Sequence, residues 1–265
     1  MQRDPNDKPN GILLEGMTSV SALLNTPADI NDRKILRVLI DRSRRRAKAP
    51  EIGYLTAKSH ELGFPVVFTE KEELDRLTAG TTHGGIAALC TDRTVPPLSA
   101  DRIRPCGFYV YLEGMEDPYN FGNAIRSLYA AGADGVVLSP RNWMSAAGVV
   151  AKASAGTSEK LPLFLADADT LIREFRAAGY RILSAGIRDS VSVFDGEFPY
   201  PVLLVVGGEK RGISRQILEA SDGIVRVDYG REFRGSLSAS AACAVLAFEI
   251  FRQNRGTADK KAKNG

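Results

Sequence analysis

Four stretches of this chain are almost unbroken apolar runs: "FYVYLEG" (108–114), "GVVLS" (135–139), "LPLFLA" (161–166) and "PVLLVVGG" (201–208). A strand with one wet face alternates apolar and polar residues, whereas a strand covered on both faces does not. Between and after these runs the pattern turns helical, from near Asn120, across 145–154, over "TLIREFRAAG" (170–179) and in a closing segment "SLSASAACAVLAFEIFRQ" (236–253). "RILSAG" (181–186) and "IVRVD" (224–228) add two further strands. Alternation of this kind predicts an α/β domain with a parallel sheet and helices on both faces.

A second, smaller α/β module precedes it. "KILRVLID" (34–41), "PVVFT" (65–69) and "HGGIAALC" (83–90) read as strands. "APEIGYLTAKSHELG" (49–63) reads as a helix closed by glycine, and "EKEELDRL" (70–77) as a short helix. "TDRTVPPLSADRIRPCG" (91–107) holds three prolines and few apolar residues, as a connector does. The reading divides the chain into an N-terminal domain over 11–93, a linker over 94–106 and a larger domain over 107–254. Residues 1–10 and the basic tail 255–265 are expected to be disordered.

Hydrophobic residues make up 44% and charged residues 25% of the 265, the balance of a globular protein. No apolar run reaches membrane-spanning length, and the start "MQRDPNDKPN" lacks the apolar stretch of a signal peptide. The three cysteines (Cys90, Cys106, Cys243) are widely spaced, forming neither a disulfide framework nor a metal-ligand pattern, and they point to a cytoplasmic protein. Two histidines are too few for a histidine-built metal site. Neither a phosphate loop nor a dinucleotide-binding glycine fingerprint is present. The net charge of +3 permits nucleic-acid binding without demanding it. Its distribution is more telling: Arg42, Arg44, Arg45, Arg46 and Lys48 crowd into seven residues, as a solvated charge run or as a footprint for RNA phosphates.

Open α/β sheets bind ligands at the carboxyl ends of their strands. Three stretches lie there. "DPYNFGNAIRS" (117–127) carries Asn120, Gly122 and Arg126 beyond the first run; "VVGGEKRGIS" (205–214) ends an apolar strand in a glycine pair followed by Glu209; "RGSLSASAACAV" (234–245) opens a helix with small residues. Each has an ordinary structural explanation taken singly: a helix cap, a strand-to-helix turn, close helix packing.

In this order and at these separations, "NFGNAIR", "GGEKRG" and "SLSAS" resemble the three signature motifs of the SpoU/TrmH family, RNA ribose 2′-O-methyltransferases of the SPOUT class. "KASAGTSEKLPLF" (152–164) is similar to the family's segment before its middle strand. "EGMTSVSALL" and "THGGIAAL" are similar to the L30e-like RNA-binding module that often precedes the catalytic domain. The resemblance implies a deep trefoil knot in the C-terminal domain, S-adenosylmethionine as cofactor, RNA as substrate (ribosomal RNA sooner than transfer RNA), a homodimer and no metal. It implies that Gly207, Gly208, Gly212, Val227, Ser236, Leu237 and Ser240 hold the cofactor, and that Asn120, Arg126, Glu209 and Ser238 serve catalysis.

A guanidinium, with a pKa above about 12, is a poor base. Arg126 is therefore expected to clamp phosphate and polarise the hydroxyl, Asn120 to orient the site, and Glu209 to hold Arg126 or the third motif. Gly122 is expected to let a substrate or partner backbone come near. Two positions depart from the family pattern. Ser238 stands where asparagine is usual, and Asp228 stands where proline is common, in a lengthened loop whose Arg231 and Arg234 are expected to extend the RNA surface. These departures favour an alternative, an RNA-binding or ribosome-assembly protein on a degenerate scaffold, which the motif residues Asn120, Arg126 and Glu209 oppose.

Overall fold

The computed structural model describes residues 11–78, 82–140 and 146–256; the two tails expected to be disordered lie outside these, except Arg255 and Gly256. Contacts divide the chain into two compact units. The described residues of Met1–Thr94 and Trp143–Lys160 form one, and those of Val95–Asn142 and Leu161–Gly265 the other.

The first unit begins with strand β1 (Ile12–Glu15) and helix α1 (Gly16–Leu24). There follow β2 (Ile35–Asp41), α2 (Ala49–Leu62), β3 (Val66–Thr69), α3 (Lys71–Leu77) and β4 (Ile86–Cys90). The sheet order is β1-β4-β2-β3, with only the β2–β3 pair parallel. Gly63 ends α2 in the left-handed conformation (φ 75°), the glycine stop expected of that segment. Leu14, Val20, Val38, Ile40, Leu55 and Ile86 form the core.

The second unit takes up the chain with β5 (Phe108–Glu113), α4 (Pro118–Ala130) and β6 (Gly135–Leu138). Helices α5 (Ala147–Ala153) and α6 (Thr157–Lys160) come next in sequence but pack in the first unit, where Ala151 joins the core. Buried Glu159 of α6 there accepts hydrogen bonds from Arg33 Nε (3.0 Å) and Asn31 Nδ2 (2.8 Å). The remaining elements are β7 (Leu163–Leu165), α7 (Ala168–Ala177), β8 (Arg181–Ala185), β9 (Val191–Ser192), β10 (Val202–Gly207), α8 (Arg215–Ala220), β11 (Gly223–Arg226) and α9 (Ala239–Gln253).

Seven described strands make one parallel sheet in the order β7-β6-β5-β10-β8-β11-β9. β6 is fully buried, as are β5 and β10 except at their last residues, and this accounts for the unbroken apolar runs. The segment 94–106 is not a free connector. Leu98 and Ile103 are buried in the core with Tyr109, Phe175 and Tyr180, and Pro97 bridges to Leu165 beside β7. Its prolines suit an edge bridge, where a missing N–H costs little.

Candidate active site

Strands β5 and β10 lie side by side in register, so Glu113 stands opposite Gly207 and both strands deliver their following loops to the same sheet end. The loop after β10 folds back sharply. Gly208 N donates to Glu113 O (2.7 Å), Gly212 N donates to Gly208 O (2.9 Å), and Gly212 has φ 65°. The glycine pair is required by the chain's own backbone. A Cβ on Gly208 would lie 2.1 Å from Gly114 O, and one on Gly207 would lie 2.4 Å from Gly212 C. Glu113 also accepts from Ser214 N through its carboxylate (2.8 Å), which ties the far end of the loop to β5. The sequence reading missed Glu113; its signal was a carboxylate ending an apolar strand.

Beyond β5, Asp117 caps α4: its carboxylate accepts from Asn120 N at 2.7 Å, with Pro118 in the first turn. Capping is therefore the task of Asp117, and the side chain of Asn120 is available for other bonds. Its Nδ2 donates to Glu209 Oε1 (2.9 Å) and its Oδ1 accepts from Ser240 Oγ (3.1 Å). Ser240 and Ser238 are joined through their hydroxyls (3.1 Å), and Ser238 Oγ accepts from Ala241 N (3.2 Å) as the cap of α9. One hydrogen-bond chain thus links the three sequence stretches. The serine at 238 still performs the capping that an asparagine could.

Glu209 was expected to hold Arg126 or the third motif; it reaches the third motif, through Asn120 and Ser240. Arg126 lies six residues beyond Asn120 on α4, and the two positions are about 120° apart around the helix axis. It is exposed and has no side-chain hydrogen bond or ion pair among the described residues. Gly122 is buried within α4. Buried Phe121, Ile125 and Leu128 fix that helix face, and α4 packs against α9.

Two cavities meet at this chain of bonds. The larger, of about 620 Å³, is lined by Gly207, Gly208, Gly212, Val227, Ser236 and Leu237 among others, six of the seven residues expected to hold the cofactor. The smaller, of about 440 Å³, is lined by Gly114, Asp117, Asn120 and Lys210. Glu209 and Ala239 line both. Ser240 lines neither and is joined to the smaller one by its hydrogen bond to Asn120.

On the rim of the larger cavity, Asp228 accepts from Arg226 Nε (2.7 Å). The Ser192 hydroxyl, and then Arg226, hold its carboxyl below the usual range. The unusual residue at 228 thus anchors the base of the lengthened loop. Arg231 and Arg234 are both exposed on that loop, and Arg234 reaches the cavity. In the first unit, the basic run 42–48 is partly matched by acidic neighbours. Arg42 pairs with Glu70 (3.3 Å), Arg44 with Asp41 (3.8 Å) and Lys48 with Glu51 (2.7 Å), while Arg45 lies over the Phe68 ring. Arg46 has no such partner among the described residues. No group of His, Cys, Asp and Glu among the described residues could hold a metal ion, and no described helix is long and apolar enough to cross a membrane.

Comparison with known proteins gives two family matches. The profile of the SpoU rRNA Methylase family matches residues 107–248, and that of the RNA 2′-O ribose methyltransferase substrate binding domain matches residues 13–96. An uncharacterized tRNA/rRNA methyltransferase of Mycobacterium ulcerans (strain Agy99) is 30% identical over 209 residues, a match covering 75% of this chain and 66% of that protein, just under two thirds of its length. Among solved structures, an RNA 2′-O ribose methyltransferase superposes with a TM-score of 0.76 at 21% identity, covering 96% of this chain and 93% of the other. The AdoMet-bound rRNA methyltransferase from Sinorhizobium meliloti gives 0.75 at 23% identity, covering 92% and 87%. At these identities the likeness establishes the fold.

Proposed function

Because the chain belongs to the SpoU rRNA Methylase family, we propose that it transfers a methyl group from S-adenosylmethionine to a ribose 2′-hydroxyl of RNA, ribosomal RNA in preference to transfer RNA. The observation that carries this reading is the bond chain Glu209–Asn120–Ser240–Ser238, with Glu209 in the wall between the two cavities. One cavity suits the cofactor and the other the ribose.

The larger cavity has the size of a cofactor site, about 300–1,000 Å³. Its wall combines glycine backbone, which allows close approach, with apolar Val227 and Leu237. When bound there, S-adenosylmethionine supplies an electrophilic methyl on a sulfonium. The protein's task is alignment and removal of one proton. Asn120, fixed from both sides by Glu209 and Ser240, orients the ribose. Arg126 clamps an RNA phosphate and polarises the hydroxyl, whose proton leaves to phosphate or water.

Arg126 is exposed, with Tyr119 and Tyr129 exposed on the same helix and Phe248 exposed on α9. We take this surface as the homodimer face through which Arg126 completes the partner's site. The N-terminal unit, with Arg42, Arg44, Arg45, Arg46 and Lys48, selects the RNA.

Calorimetric titration with S-adenosylmethionine tests the reading on the intact chain and on an Asn120→Ala, Arg126→Ala double variant. Micromolar binding by the intact chain is expected, and retained binding by the variant assigns the pair to the RNA side. No binding by the intact chain would refute the cofactor assignment and leave the RNA-binding alternative that Ser238 and Asp228 favour.

A further inference from the structure

The loop 228–236 carries an aromatic pair that the bond chain does not use. Tyr229 and Phe233 are 38% and 55% exposed, and their rings meet edge to face with centroids 5.5 Å apart. They are held in place. The Tyr229 hydroxyl accepts from Leu237 N (3.2 Å), and the Phe233 ring lies so close over Gly235 that a Cβ there would come within 2.6 Å of it. Both rings reach the rim of the larger cavity. Arg231 and Arg234 alternate with them, and neither has a carboxylate partner among the described residues. Asp228 at the foot of the loop is occupied by Arg226.

An apolar protein surface would cover the rings and strand the guanidinium groups. A nucleotide strand satisfies both, since every base offers a π-face and every linkage a negative charge. We propose that this loop is a stacking platform on which one unpaired base of the substrate RNA, next to the methylated nucleotide, lies against Phe233. Tyr229 braces the ring, and Arg231 and Arg234 take the flanking phosphates. The inference rests on the RNA half of the function proposed above and adds to it a determinant of which sequence context is accepted: a base that can leave its helix.

The test uses the full chain and a short single-stranded RNA carrying 2-aminopurine, whose fluorescence falls on stacking. Binding should quench the probe. Phe233→Leu, a change at an exposed position, should remove the quench and weaken binding roughly tenfold or more, and Phe233→Trp should restore both. Replacing Arg231 and Arg234 by glutamine should lower the salt slope of binding by about 1.4, roughly 0.7 for each single-strand phosphate deprived of its cation. An unchanged quench and affinity in Phe233→Leu would overturn the proposal. So would a loss of S-adenosylmethionine binding with RNA stacking intact, which would assign the ring to the cofactor. A parent chain that quenches the RNA probe yet takes up no S-adenosylmethionine would sink the methyltransferase reading and uphold the platform.

Discussion

Gly208→Ala is the substitution whose outcome the structure specifies most closely. The new Cβ would stand 2.1 Å from Gly114 O and 2.5 Å from Gly114 C, both backbone atoms with no rotamer to escape into. Real Cβ atoms do not approach other heavy atoms closer than 3.0 Å, so the β5 and β10 loops must part by about 0.9 Å. Glu209 is the next residue. A shift of that size along its 2.9 Å bond to Asn120 would carry the pair beyond hydrogen-bonding distance. Overpacking against rigid atoms costs about 1–3 kcal/mol, and a loss of about 1.4–2.7 kcal/mol from the transition state lowers a rate by about 10- to 100-fold. Two other glycines separate steric from conformational effects. Gly212 (φ 65°) has nothing within 4 Å of its added Cβ, so Gly212→Ala should show only the strain of a left-handed residue, about 1–2 kcal/mol. Gly230 has neither constraint, and Gly230→Ala should fall within about 0.5 kcal/mol of the parent. Urea unfolding followed by circular dichroism, with S-adenosylmethionine titration of each variant, gives the order. If Gly208→Ala matches Gly230→Ala in both stability and affinity, the account of this loop is wrong.

Other outcomes follow from the same structure. Glu159→Ala leaves Arg33 buried beside an absent carboxylate and should destabilise the first unit by about 3–5 kcal/mol in urea melts, whereas a change under about 1 kcal/mol would show the pair to be dispensable. Burial pushes the Cys90 and Cys243 thiols up to about 12, while Cys106 is exposed, so a thiol reagent at pH 8 should titrate one fast cysteine per native chain and three after denaturation. Arg45→Gln with Arg46→Gln removes the two cations of the N-terminal run that lack acidic partners among the described residues. It should lower the salt slope of RNA binding by about 1.4–1.8 without altering cofactor affinity; an unchanged slope would remove this run from the RNA surface.

The strands and helices were legible because burial leaves a trace in the sequence. β5 and β6 are apolar because both their faces are covered, and Gly63 marks the end of α2 because only glycine takes its conformation cheaply. The clustering of Asn120, Glu209, Ser238 and Ser240 followed from the resemblance; no periodicity brings together residues some 90 to 120 positions apart. What the sequence hid were approaches of one backbone segment to another. Nothing in "GGEK" says that a Cβ on either glycine would run into Gly114 or Gly212 of the same chain. The prolines of 94–106 suggested a free connector, although Leu98 and Ile103 are core residues. Nor does any local pattern place α5 and α6 with the first unit. Their attachment depends on Glu159 meeting Asn31 and Arg33, a pairing of distant polar residues without sequence period.

The most direct test of the central claim is to incubate the full chain with S-adenosylmethionine carrying an isotopically labelled methyl group and unmodified ribosomal RNA, then to analyse the digested nucleosides by mass spectrometry. The label is expected in a single 2′-O-methylated nucleoside and should be lost in the Asn120→Ala, Arg126→Ala variant. Label on a base, or an RNA left unlabelled by a chain that binds both cofactor and RNA, would contradict it.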